Sequence, residues 1–126
     1  MKKPIILIAD DEIDIICKLE IAFGLNGFET VSALNGQEAI AKARAYNPNL
    51  AIIDIQLPVF SGLQACRELK SNPETRHIPV VLLSVGGLPE QKAACDLGAD
   101  DYITKPFVAH EVVERINWYF QIASIC

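Results

Sequence analysis

Two hydrophobic periods alternate along the chain. Pro4 to Ala9 reads Pro-Ile-Ile-Leu-Ile-Ala, a continuous apolar run of strand length; Leu50 to Ile53 and Val80 to Leu83 are two more. Continuous runs predict strands buried on both faces, as in a parallel sheet covered by helices. Phe28 to Val31 is a weaker, alternating strand that suits an edge, and Tyr102 to Thr104 is a short β-favouring piece. Between these runs the period changes to about 3.6 residues. Ile16, Leu19 and Phe23 mark one helical stripe, which Asn26-Gly27 would end. Asn35-Gly-Gln-Glu38 places a capping residue ahead of a Glu, with Ala39, Ile40 and Ala43 as the apolar face and Asn47-Pro48 as the stop. Ser61-Gly-Leu-Gln64 is a second capping-box pattern, followed by Cys66 and Leu69 and then by Asn72-Pro73. Pro89 to Leu97 predicts a fourth helix, entered at a tolerated Pro and closed by Gly98, and Val108 to about Ile122 predicts a fifth.

The string is strand then helix, five times over, without repeat, linker or low-complexity tract. It predicts an α/β fold: one doubly wound, five-stranded parallel sheet with helices on both faces. With 126 residues the chain is one domain, 1–126. A closed eight-fold barrel would need about twice that length. Ligands of open sheets bind at the carboxyl ends of the strands, so the polar residues that end each strand become the candidates.

Composition narrows the class. Hydrophobic residues make up 51% of the chain, which excludes disorder, and 16 acidic against 11 basic side chains leave a net charge of −5. That balance, with no basic run longer than Lys2-Lys3, argues against direct nucleic-acid binding. No window reaches the ~18 apolar residues of a membrane span, and Met-Lys-Lys-Pro followed by a short run to Asp10 is no secretory signal. No Cys-x-x-Cys pair exists and the histidines are only His77 and His110, so a zinc site is not expected. Cys17, Cys66 and Cys95 are expected as small hydrophobes facing a core, and a reducing, cytoplasmic setting follows as the expectation.

The strand ends carry chemistry. The first ends in Asp10-Asp11-Glu12, the third in Asp54, the fourth in Ser84, and the fifth is followed by Lys105-Pro106. Asp10 and Asp11 could simply cap the first helix, and Lys105 could be a surface lysine. Asp54, at the margin of a buried strand, needs a partner or a metal. Together, close carboxylates call for a hard cation with oxygen ligands, such as Mg²⁺. Asp54 could then attack phosphorus and form an acyl phosphate, with a lysine and a hydroxyl to meet the phosphoryl charge. There is no Gly-x-Gly-x-x-Gly, no P-loop, and no His or Cys at the rim.

These stretches resemble the receiver domain of bacterial two-component response regulators (the CheY-like, flavodoxin-like fold) over nearly the whole chain. The pieces are Ile-Ala-Asp10-Asp11-Glu12, Asp54-Ile-Gln-Leu-Pro58 with Ser61-Gly62, Val-Val-Leu-Leu-Ser84, and Gly98-Ala-Asp-Asp-Tyr-Ile-Thr-Lys105-Pro106-Phe107. The resemblance implies strand order 2-1-3-4-5. It implies Asp54 as phosphoacceptor, and Asp10, Asp11, Asp54 and the Gln56 backbone carbonyl around Mg²⁺. Ser84 would be the switch hydroxyl, Lys105 the phosphate-pairing lysine and Tyr102 the aromatic that changes rotamer. It further implies a histidine kinase or phosphotransfer protein as donor, and signalling through the fourth helix, fifth strand and fifth helix. The listener there would be a downstream protein or an output domain outside this chain. Such a domain promotes its own phosphoryl transfer and hydrolysis and is not an enzyme otherwise.

Several features stand out against the family pattern. Val85 stands where a small residue usually follows the switch hydroxyl, and slower phosphoryl exchange is expected from it. Gly86-Gly87 should leave the next loop mobile. Glu111 and Arg115 match charges of the dimer face in winged-helix regulators, so a weak or phosphorylation-dependent homodimer is open, but the fourth helix lacks the matching Arg. Trp118-Tyr119-Phe120 cannot all point inward at about 100° per residue, so at least one is exposed or bound. Competing readings are a degenerate receiver acting as a phosphorylation-independent interaction module, and a phosphohydrolase with an Asp nucleophile. The second is weakened by Gln56, where the acid/base Asp would stand. A flavin-binding protein is disfavoured by the acidic first loop.

Overall fold

Each all-apolar run becomes a strand whose alternate residues enter two different cores. The computed structural model describes residues 3–125, with side chains to Phe120. Its elements are β1 (Ile5–Ala9), α1 (Ile13–Leu25), β2 (Glu29–Ala33), α2 (Gly36–Tyr46), β3 (Leu50–Asp54), α3 (Gly62–Ser71), β4 (Val80–Ser84), α4 (Leu88–Asp96), β5 (Asp101–Thr104) and α5 (Ala109–Ile125). The strands form one parallel sheet in the order β2-β1-β3-β4-β5, as the resemblance implies. Leu7 and Ala9 of β1 point with Ile53 and Leu82 into a core shared with Ala39, Cys66 and Leu69 of α2 and α3. Ile6 and Ile8 point the other way, with Ile52 and Leu83, against Leu19 and Phe23 of α1 and Val112 and Ile116 of α5. This period of two inside an unbroken apolar run is what burial on both faces requires.

Local signals set the helix boundaries. Asn35 Oδ1 accepts the Glu38 N–H at 2.8 Å, but the Glu38 carboxylate pairs with Lys42 at 3.2 Å instead of closing a capping box. Ser61 and Gln64 close theirs from both sides. Asn47 ends α2 in the left-handed conformation, and Gly98, at φ 91°, follows α4. Strand β2 starts and ends one to two residues later than its pattern predicts. Phe28 is drawn out of the strand because its ring packs edge-on against Phe23 at 5.4 Å and lies tilted against Phe120 at 5.6 Å.

Two expectations are corrected. Cys66 is buried, but Cys17 and Cys95 are exposed. Cys17 follows Ile16 by one residue, a rotation of about 100° that carries it to the outer face of α1. Cys95 does the same beside buried Ala94. Cys126 lies outside the described residues. The aromatic run divides as its spacing demands: Trp118 is 60% exposed, Tyr119 donates to the Asp100 carbonyl at 2.7 Å, and Phe120 packs on the α1–α5 core. No helix among the described residues is long and apolar enough to cross a membrane.

Val59, between β3 and α3, sits at φ 67° and is 83% exposed. A β-branched residue is strained there and gains nothing from burial. Val59→Gly is expected to raise unfolding free energy by about 1 kcal/mol, read from the urea midpoint. A lower midpoint would show that the valine makes up for its backbone.

Candidate functional site

Parallel register brings the strand ends level. Ala9 pairs with Ile53, Asp54 with Leu83 and Ser84 with Thr104, so the residues that close or follow these strands share one rim. Asp10 is fully buried there and Asp54 is 4% exposed. Each holds one oxygen on a backbone N–H: Asp10 Oδ1 accepts from Glu12 at 2.9 Å, and Asp54 Oδ1 from Gln56 at 3.1 Å. Their other oxygens share one cation. Lys105 Nζ donates to Asp10 Oδ2 at 3.0 Å and to Asp54 Oδ2 at 3.1 Å. The Lys105–Pro106 peptide is cis.

Electrostatics follow from this geometry. Burial raises the Asp10 pKa above its ordinary 3.8, and the nearby Asp54 charge adds to the rise; the Glu12 N–H and the Lys105 ammonium hold it back. Burial works against the Lys105 charge, but its hydrogen bonds to Asp10 and Asp54 outweigh burial and raise its pKa. Asp11, exposed at the mouth, brings a third carboxylate. One oxygen from each of Asp10, Asp11 and Asp54 lies within 4.8 Å of the others. Three carboxylates against one ammonium leave net negative charge, and an all-oxygen donor set fits a hard divalent cation.

The backbone beneath Asp54 is held by a close approach. The Gly62 N–H donates to the Ile55 carbonyl at 2.8 Å. A Cβ on Gly62 would lie 2.0 Å from the Asp54 carbonyl oxygen and 2.7 Å from Ile55 Cα. Only glycine lets the start of α3 sit against the end of β3.

Ser84 reaches the rim but does not join the carboxylates. Its buried hydroxyl donates to Glu90 Oε1 at 2.8 Å and accepts the Gly86 N–H at 2.9 Å. Tyr102 is half-buried, and its hydroxyl donates to the Gly86 carbonyl at 3.0 Å. The expected convergence is therefore met by Asp10, Asp11, Asp54 and Lys105, while Ser84 and Tyr102 are tied into the loop after β4. Sequence reasoning passed over Glu90; the signal was an acid in the first turn of α4, a short glycine-bearing loop after Ser84. Val85 is 63% exposed and lines, with Lys105, Lys18 and Phe107, an open cavity of about 340 Å³ beside the site.

Comparison with known proteins identifies the family. The family model "response regulator receiver domain" matches residues 6–117. The chain is 39% identical over 113 residues to the phosphate regulon transcriptional regulatory protein PhoB of Pseudomonas aeruginosa, covering 89% of this chain and 49% of that protein. It is 36% identical over 118 residues to the probable transcriptional regulator ycf27 of Cyanophora paradoxa, covering 93% and 48%. The chain thus spans about half the length of these curated relatives. Among solved structures, the receiver domain of the Francisella response regulator 1452 superposes with a TM-score of 0.87 at 29% identity, covering 96% of this chain and 99% of that one. A five-stranded sheet in this order, an acidic rim with a shared lysine and these matches lead to one assignment: the chain belongs to the receiver domain family of two-component response regulators.

Proposed function

We propose that the chain is a phosphorylation-dependent signalling switch that accepts a phosphoryl group on Asp54. The observation that carries this reading is the single Lys105 ammonium shared by two buried carboxylates beside the open Asp11. An Asp54 oxygen attacks phosphorus; the O–P bond forms as the N–P bond of a donor phosphohistidine breaks, and the imidazole leaves with the electron pair. Lys105, already within hydrogen-bond distance of Asp54, is placed to meet the charge on the phosphoryl oxygens. Asp10, Asp11, Asp54 and the Gln56 carbonyl are the residues to hold Mg²⁺, which would neutralise part of that charge when bound. Water later attacks the phosphorus, the P–O bond to Asp54 breaks, and inorganic phosphate leaves as the carboxylate is restored. The domain turns over no other substrate.

The donor is a histidine kinase or phosphotransfer protein. The α4–β5–α5 face speaks to a downstream protein or output domain, with homodimerisation as a further use of that face. Neither nucleic acid nor membrane is contacted directly, and the setting is cytoplasmic. The contact of Ser84 with Glu90 favours one second reading, a degenerate receiver acting without phosphorylation.

Acetyl phosphate with Mg²⁺ separates the two. An acid-stable, base-labile adduct in the parent and none in Asp54→Asn supports the switch. No adduct with any donor leaves the interaction module, and continuous rapid phosphate release points to a hydrolase. In the same assay Val85→Ala, which opens the cavity wall next to Lys105, is expected to speed label gain and loss severalfold. Equal rates would remove Val85 from the mechanism.

A further inference from the structure

The hydroxyl expected to meet the phosphoryl group is occupied elsewhere. Ser84 Oγ is buried and donates to Glu90 Oε1 at 2.8 Å. The same oxygen accepts the Gly86 N–H, and the Gly86 carbonyl accepts from Tyr102. Glu90 lies so close over Gly86 that a Cβ there would stand 1.5 Å from Glu90 Oε2. Ser84, Gly86, Glu90 and Tyr102 thus form one closed set of contacts. The helix that carries Glu90 contributes a single buried residue, Ala94, to the core, so it can shift at little cost to packing.

We propose that Glu90 is a positioning residue that holds the Ser84 hydroxyl turned away from Asp54, so that Ser84 reaches a phosphoryl group only when its contact with Glu90 breaks. The inference rests on reading Ser84 as the switch hydroxyl. A serine has one proton to donate; while Glu90 holds it, no phosphoryl oxygen can. An ionised acceptor also holds it more firmly than a neutral one. Glu90 and the phosphoryl group therefore compete for the same donor, and Tyr102 follows the outcome because Gly86 links it to Ser84. Removing Glu90 should favour the phosphoryl-bound arrangement.

Two readouts test this. Three-bond NMR couplings report the Ser84 rotamer without any phosphoryl group. They are expected to show one rotamer in the parent and averaging in Glu90→Ala, with a shift of the Gly86 amide. Beryllofluoride with Mg²⁺, a phosphoryl mimic, should half-saturate Glu90→Ala at a concentration roughly tenfold lower than the parent, as for removal of a competing state. That gain should vanish when Ser84→Ala is added. Gly86→Ala, which crowds the carboxylate off the serine, should reproduce the gain, and Glu90→Gln, which keeps an acceptor oxygen, should restore much of the parent behaviour. Unchanged Ser84 couplings, or a gain that persists without Ser84, would overturn the inference. A parent that binds no beryllofluoride would overturn the phosphoryl reading instead, and the Ser84 couplings alone would then decide the role of Glu90.

Discussion

Gly62→Ala is expected to lower unfolding free energy by about 3 kcal/mol, and to leave whatever folds with a displaced phosphoacceptor. The added methyl would meet the Asp54 carbonyl oxygen at 2.0 Å and the Asp54 carbonyl carbon at 2.7 Å. These are backbone atoms of a strand paired on both sides, so no side chain can swing away to make room. Relief must come from moving the start of α3, which stretches the hydrogen bond from the Gly62 N–H to Ile55 and disturbs the Ser61–Gln64 cap. Thermal unfolding should show a midpoint lower by about 10 °C or more. Acetyl phosphate labelling should fall with it, because Asp54 moves with its own carbonyl. Gly87→Ala is the control: its nearest neighbour is a proline atom at 4.0 Å, and the change should stay within about 0.5 kcal/mol. A Gly62→Ala protein as stable as that control would show that the two elements separate more easily than their contact suggests.

Much of the sheet beneath this contact was legible in the sequence, although the close approach of Gly62 to Asp54 was not. Runs such as Leu-Ala-Ile-Ile before Asp54 and Val-Val-Leu-Leu before Ser84 demand burial on both faces, and that demand alone yields a covered parallel sheet with its polar ends at one rim. Register brings the ends that carry Asp10, Asp54 and Lys105 to one rim, but the sharing of one ammonium between the two carboxylates was not readable from the pattern. What periodicity could not supply was the direction of a side chain with more than one partner. Ser84 was legible as a hydroxyl at a strand end, but its choice of Glu90 depends on how α4 enters, and α4 has little apolar pattern to define it. Cys17 and Cys95 failed for a related reason. Their small apolar character suits a core, yet each sits one residue past a buried neighbour and so faces outward. Phe28 had strand-like character and was taken by ring packing instead.

Lys105→Ala is expected to cost about 3 kcal/mol of stability in metal-free buffer near pH 7, because it strips the cation from two buried carboxylates. The loss should depend on pH in a defined direction. Burial already raises the Asp10 pKa above 3.8, so the folded protein prefers the protonated acid and ionisation of Asp10 opposes folding. That opposition is absent below the unfolded value of 3.8 and complete above the raised folded value. Removing Lys105 takes away an interaction that restrains the rise, so the opposition grows and the penalty should shrink as pH falls from 7 toward 4. The opposite arm uses Mg²⁺. Without the ammonium, Asp10, Asp11 and Asp54 present the same three oxygens with one fewer competing positive charge. Millimolar Mg²⁺ should therefore stabilise Lys105→Ala more than the parent, by the linkage between ligand binding and folding. Denaturation midpoints at pH 7 and pH 4, each with chelator or with Mg²⁺, decide the matter. If the loss is the same in all four conditions, Lys105 acts through packing of its stem and the shared-cation account of the rim is wrong. If it shrinks with acid and with Mg²⁺, one positive charge among three carboxylates is what holds this rim in its phosphate-free form.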